Sequence, residues 1–421
     1  MLKLLIVNIL DKENKMGHWS EAKIKDFAEV KGGKRLPKGK QLIKEFNSHP
    51  YIKVRNLGKE KYIQLNSDYE YVDDETQKSI ARYIVNKGDI LISVVGTIGL
   101  VGIVGDTLDK ANQTENCDKI INIKDVLPEY LYYYLISSFG QDEIRKGTVG
   151  AVQPKLPLKN VKDISILYPL IEEQERIVNI LSSIDKKIEM NNAINNNLIE
   201  QLNQFYTEFS TRKQWPEMTI GDIAEKVAMG PFGSNIKVST FVEKGIPIIS
   251  GNHLRNYFLE EPSYNYITEE HASKLKNSIV YPNDIVFTHA GNIGQVAMIP
   301  EGSHFPYYVI SQRQFYLRCN TELITPVYVL LFFHSKIGQH ELLSYANQTG
   351  VPSIARPATN LKKIRIPIPS LDEQKEWLSV ISPIIKMYQN NYLEIERLSI
   401  LRDTLLPKLM SGELDVSNIN I

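Results

Sequence analysis

Between residues 19 and 168, short apolar runs rich in β-branched residues alternate with polar, turn-forming stretches, at 51–54, 89–95, 99–104, 119–123 and 163–167. This alternation predicts strands joined by tight turns. A run opening on Pro128 predicts one helix over 128–137, since proline suits the first helical position. From Trp215 the order repeats, with strands at 246–250, 284–288, 295–299, 315–318 and 365–369 and a helix at 326–334. Tyr168-Pro169 and Ile368-Pro369 end the last strand of each set, because proline cannot extend a ladder.

After Glu172 the apolar spacing changes to alternating fours and threes: Ile177, Leu181, Ile184, Ile188, Asn191, Asn195, Leu198, Leu202, Phe205 and Phe209. The matching positions near the end of the chain are Trp377, Ile381, Ile384, Tyr388, Asn391, Ile395, Leu398, Arg402, Leu405 and Leu409. A sustained 3.5-residue period is a coiled-coil pattern, so each helix needs a partner. The other helix is the natural one, paired antiparallel through Leu198 and Leu398. Full overlap sets Asn191 opposite Asn391, a polar pair that fixes register if buried; both on solvated faces is the other possibility. Pro383 is expected to kink or restart the second helix.

The two halves are repeats. GDILISVVGTIGLVGIV at 88–104 returns as NDIVFTHAGNIGQVAMI at 283–299, and NVKDISILYPLIEEQ at 160–174 returns as NLKKIRIPIPSLDEQ at 360–374. A spacing near 200 residues makes each copy domain-sized, far beyond a solenoid repeat. Such a pair suits a ligand read in two halves; a duplicated scaffold with one idle half is the alternative. The layout is an N-terminal extension (1–18), a first β-rich domain (19–170), a central helical region (171–214), a second β-rich domain (215–370) and a distal helical region with tail (371–421). The fold class is α+β, with two β-rich domains joined by a long antiparallel two-helix coiled coil in a pseudo-twofold internal repeat.

Composition sets limits on function. Lys+Arg and Asp+Glu are equal at 49 each, so any basic surface must be local. Cys117 and Cys319 are too few for a disulfide framework and lack metal-ligand spacing, which fits reduced thiols in a cytoplasmic protein. The opening MLKLLIVNIL is apolar for about half of the ~20 residues that span a bilayer, and reads as a short extension, with Met16 as an alternative start.

No catalytic constellation is expected: Walker A, HExxH, GxSxG and the Asn/Asp-Pro-Pro-aromatic tetrad are all missing from the sequence. Gly96-Thr-Ile-Gly99 and Gly291-Asn-Ile-Gly294 fit hairpin turns better than phosphate loops, since no GxGxxG order or following helix accompanies them. Glu172, Glu173, Asp372 and Glu373 fit helix capping. Lys31, Lys34, Arg35, Lys38 and Lys40 crowd GGKRLPKGK, with Lys44, Lys53 and Arg55 following. An open loop of cations suits phosphates or base edges; a solvated charged face is the other reading. The corresponding stretch in the second copy, GPFGSNIK, offers Phe232, Ser234, Asn235 and Lys237 instead.

Taken in order, the paired Trp19 and Trp215 starts, the GPFGS loop, the GDIL/NDIV hairpins, the IxxPxxxEQ segments at 166–174 and 366–374, and the terminal LRDTLLPKLMSGEL resemble the specificity subunit of type I restriction-modification systems over essentially the whole chain. The resemblance implies two target-recognition domains that each read half of a split double-stranded DNA site, with the helices serving as spacers. It implies two methyltransferase subunits bringing S-adenosylmethionine, and restriction/motor subunits using ATP and Mg, with no cofactor, metal or catalytic residue on this chain and no membrane association. Recognition residues implied by it are the two loops above together with Arg55, Asn56, Asn252, His253 and Arg255. Lys146, Gln153 and Lys155, and Gln348, Ser353 and Arg356, lie in two further segments implied by it. An assembly scaffold without sequence preference, an enzyme with an unrecognised nuclease or methyltransferase site, and the specificity subunit of a related type II enzyme are the alternatives.

Overall fold

The computed structural model describes residues 19–260, 263–347 and 350–416, so the 1–18 extension and Gln348 lie outside the described residues. Contacts divide the chain into two compact units, one of residues 1–189 and 397–421, the other of 190–396. Each unit therefore takes one β-rich domain and part of both long helices, because the helix seam and the domain share one core.

In the first unit a five-stranded sheet runs in the order Glu29–Gly32, Cys117–Ile121, Ile90–Ser93, Val101–Val104, Tyr62–Ile63. Beside it Pro50–Ile52 pairs with Glu70–Tyr71 and, in parallel, with Asn112–Gln113. The second unit repeats this plan with Ala224–Met229, Gln314–Cys319, Ile285–Thr288 and Val296–Met298, and with Ile246–Ile249 parallel to Tyr308–Ile310. The GxIG segments connect antiparallel neighbours, as hairpin turns do, and all four of their glycines have φ between 83° and 86°. The mixed helix and sheet content is that of an α+β fold.

Each domain has two consecutive helices where the sequence pattern suggested one: Pro128–Ile136 then Ser138–Gly147, and Pro326–His334 then Lys336–Leu343. Ser137 and Ser335 cap the second helix of each pair by accepting from Gly140 and Gly338 N–H. From that helix Gln141 and Gln339 donate to the carbonyls of Gly99 and Gly294, both at 3.0 Å. The polar capping serine interrupts an apolar period, which hides the second helix from a periodicity reading.

The long helices span Ile171–Thr211 and Leu371–Met410. The second continues through Pro383 rather than restarting: Pro383 is on the exposed side, where water can satisfy the carbonyl its ring leaves unpaired, while Ile381 and Ile385 stay buried on either side. Both helix starts are tied to their domain by one buried side chain. Gln174 donates to Pro169 O and Asp125 O and accepts from Leu127 N–H; Gln374 donates to Pro369 O and Leu323 O and accepts from Thr325 N–H.

Within the second unit the helices run antiparallel, but Asn191 does not face Asn391. Asn391 donates to Asn195 at 3.0 Å and Asn191 donates to Glu394 at 2.8 Å, an offset of four residues, about one helical turn. The aromatic contacts select this register, since Phe209 stacks on Trp377 with centroids 5.1 Å apart and Trp377 Nε1 donates to Phe205 O. Asn191 and Asn195 are 1% and 7% exposed, so the polar layer is buried and paired rather than solvated. Leu198 packs in the core of the second unit and Leu398 in that of the first, where Arg402 also meets Asp185 at 3.3 Å. Among the described residues no helix is long and apolar enough to cross a membrane.

Candidate nucleic-acid interface

The same backbone bonds gather the same four segments at one end of each domain. In the first, Gly33 N–H donates to Cys117 O, Val94 N–H to Asn116 O and Leu156 N–H to Val94 O. In the second, Gly230 N–H donates to Gln314 O, His289 N–H to Arg313 O and Ile354 N–H to His289 O. A loop after the first sheet strand, a strand-connecting turn, the GxIG hairpin and a late loop thus lie side by side. Gly33 and Gly230 are required by this approach, because a Cβ there would fall 2.1 Å from Thr114 O and 2.0 Å from Ser311 O. In the second domain the short helical turn Gly251–His253 after the parallel strand lies beside the hairpin and the connecting turn; its counterpart Val54–Asn56 follows the parallel strand of the first domain.

In the first domain the cation loop is exposed at Lys34, Arg35 and Lys38, with Lys34 Nζ 5.9 Å from the Tyr83 ring. Most neighbouring cations are paired rather than open. Lys31 meets Glu29 at 2.8 Å, Arg35 meets Glu115 at 2.8 Å and Lys40 reaches Asp73 at 3.2 Å and Glu75. Lys53 and Arg55 share Glu70, and the Lys53 hydrogen bond, with the charge of both cations, holds its carboxyl below the usual range. The exposed pairs among these are screened by water and only weakly held, so a phosphate can replace the carboxylate at small cost. Asn56 spends its side-chain oxygen on Lys53 N–H at 2.8 Å. Lys146 sits on the second short helix, paired with Glu143 at 2.7 Å. Gln153 and Lys155 are exposed in the late loop, where Lys155 bridges Val95.

In the second domain Phe232 is 75% exposed, and Asn235 and Lys237 are exposed beside it; Ser234 belongs to the same short turn, Gly233–Asn235. Asn252 and Arg255 are exposed and joined at 3.3 Å. His253 is a correction: it is 4% exposed, its Nδ1 accepts from Ser250 N–H, its Nε2 lies 2.8 Å from Ser263 O, and it stacks on Tyr264. Both ring nitrogens are committed to the fold. Ser353 bridges Ala290 of the hairpin, and Arg356 is exposed in a left-handed conformation ahead of a short helix.

Sequence reasoning missed Asn292, Gln295, Gln312 and Arg313. Asn292, Gln295 and Arg313 line a polar cleft with Asn252 and Thr288 that no carboxylate of the described residues lines, and Gln312 donates to the carbonyls of Gly233 and Ile236. Asn292 and Gln295 belong to the repeated hairpin at 291–295, whereas Gln312 and Arg313 are revealed only by the equivalence of turns 311–313 and 114–116, which share no sequence. Among the described residues no group of three His, Cys, Asp or Glu could hold a metal ion. Burial pushes both cysteine thiols up to about 12, which leaves them unreactive. The arrangement offers cations, amides and exposed apolar tips, which is binding chemistry.

The description "Type I restriction modification DNA specificity domain" belongs to a family model that matches this chain twice, at 16–200 and 212–397. The type I restriction enzyme MjaIX specificity subunit of Methanocaldococcus jannaschii is 25% identical over 95% of this chain and 94% of its own. The MjaVIII specificity subunit of the same organism is 23% identical over 94% of this chain and 98% of its own. The fold is similar to that of the type I restriction-modification S subunit from M. genitalium, with a TM-score of 0.54 at 17% identity over 94% of this chain and 97% of that one. With both repeats matched in order over most of its length, the chain belongs to the type I restriction-modification DNA specificity family.

Proposed function

We propose that this chain is the non-catalytic DNA-recognition subunit of a cytoplasmic restriction-modification complex, reading a bipartite duplex target with one half-site for each β-rich domain. The observation that carries the reading is one scaffold built twice around loops of different chemistry, cationic at 31–40 and amide-rich with an exposed Phe232 at 230–237. In this reading two methyltransferase subunits supply S-adenosylmethionine chemistry and restriction/motor subunits supply ATP- and Mg-dependent cleavage. Exchanging residues 19–168 for those of a relative with a different target tests it. One half of the methylated motif is expected to change and the other to persist, because each half is read by its own domain. A folded chimera in which both halves change, or that shows no sequence preference, contradicts the modular reading and favours a scaffold.

Lys34, Arg35 and Lys38 are exposed cations of the first domain's loop. Replacing all three with alanine is expected to weaken binding to every sequence and to make the salt dependence shallower by roughly one unit of slope per lost phosphate contact. A salt slope equal to wild type removes this loop from the interface.

A further inference from the structure

One position in the interface is structurally the same in both domains and chemically different. Ser93 pairs with Cys117 and Thr288 with Gln314 across equivalent strands, so the residues just before, Asn116 and Arg313, correspond. Each has its carbonyl held by the hairpin, through Val94 N–H at 2.8 Å and His289 N–H at 2.9 Å. The backbone is fixed and the side chain is left to vary.

We propose that this turn position determines sequence specificity and that Arg313 reads a guanine in the half-site of the second domain, an assignment that rests on the DNA-recognition reading above. Three observations converge on it. Arg313 is exposed at the wall of the polar cleft, which holds Asn252, Asn292 and Gln295 and, among the described residues, no acidic side chain. Its guanidinium crosses the hairpin turn at Gly291, where a Cβ would sit 3.4 Å from Nη1, so the glycine leaves the fork room above the turn. The other arginines of this domain's sheets are committed elsewhere, Arg318 to Asp284 at 2.6 Å and Arg365 to Glu217 at 3.0 Å.

A planar fork without a carboxylate partner among the described residues, set among neutral amides, matches the paired acceptors O6 and N7 of guanine. A phosphate can be bound by either cation and needs no amide-lined cleft. The corresponding Asn116 presents one donor and one acceptor, the pattern that matches adenine N7 and N6. The same turn thus carries different readers in the two domains.

The test is selection of binding sites from randomised duplexes by the full-length chain in complex with its methyltransferase subunits, for wild type, R313A and R313K. R313A is expected to accept other bases at one guanine position of one half-site, with discrimination there falling roughly 5- to 150-fold, while every other position is kept. R313K is expected to retain part of the preference. An unchanged motif overturns the assignment, whether binding is unaltered or weakened uniformly with a shallower salt slope, the latter being a phosphate contact. Erosion of the entire half-motif by both variants also overturns it, since the residue would then be supporting the shape of the domain. If wild type itself enriches no motif, the DNA-recognition reading falls first.

Discussion

Replacing Gln374 with leucine is expected to destabilise the second unit by about 3–5 kcal/mol, well beyond the loss of a single hydrogen bond. The side chain is 1% exposed and makes three bonds to backbone: to Pro369 O at 2.9 Å, to Leu323 O at 3.1 Å and from Thr325 N–H at 2.8 Å. Leucine fills a similar volume but leaves three backbone groups without a partner, at ~1–3 kcal/mol for each that stays buried. Those groups belong to the link after strand Arg365–Pro367 and to the segment before the helix Pro326–His334, so the helix start, the strand and that helix lose their common tie. Urea unfolding followed by tryptophan fluorescence measures the change, and a loss below about 1 kcal/mol contradicts the argument. Gln174, which is 0% exposed and bonds in the same way to Pro169, Asp125 and Leu127, is expected to respond alike in the first unit.

Those glutamines show where a sequence reading stops. Strands at 90–93, 101–104, 285–288 and 296–298 and the helix Pro326–His334 were legible because they are buried on all sides, which demands continuous apolar runs that turn residues then bound. A side chain that satisfies backbone groups imposes no such run, so the EQ segments read only as a junction between strand and helix. Helix pairing was legible from the seam, but its register was not: four residues of offset follow from where Phe209 and Trp377 stack, and side-chain shape is invisible to a heptad count. The cation loop was legible as charge density. The pairing of its Arg35 with Glu115, 80 positions away, was not, nor was the burial of His253, because both depend on partners brought together only by the sheet. Arg313 escaped for the opposite reason, since its turn resembles nothing in the other copy and is matched to it by backbone pairing alone.

Asp118 supplies a second large effect, on pH dependence. It is 4% exposed on strand Cys117–Ile121, between Ile92 and Gly32, and its Oδ2 has no hydrogen-bond partner among the described residues. Burial pushes its carboxyl up to about 7, against a smaller opposing pull from Lys162. The equivalent place in the other domain holds Phe315, paired with Phe287, so an ionisable group stands in an apolar position. With the folded value above the unfolded one of ~3.9, the folded state holds a proton that the unfolded state has released throughout the interval between them. Stability therefore falls as pH rises from about 4 to about 7 and levels off above. The slope approaches ~1.4 kcal/mol per pH unit at most. Asp118→Asn removes this titration without changing size, and is expected to raise stability at pH 8 by about 1–3 kcal/mol while leaving pH 5 nearly unchanged or slightly lower, because a buried amide forgoes hydrogen bonds of its own. Unfolding midpoints of both proteins at pH 5 and pH 8 decide it: parallel behaviour across that range would mean that Asp118 is ionised in the folded protein at both pH values, with its charge satisfied where it stands.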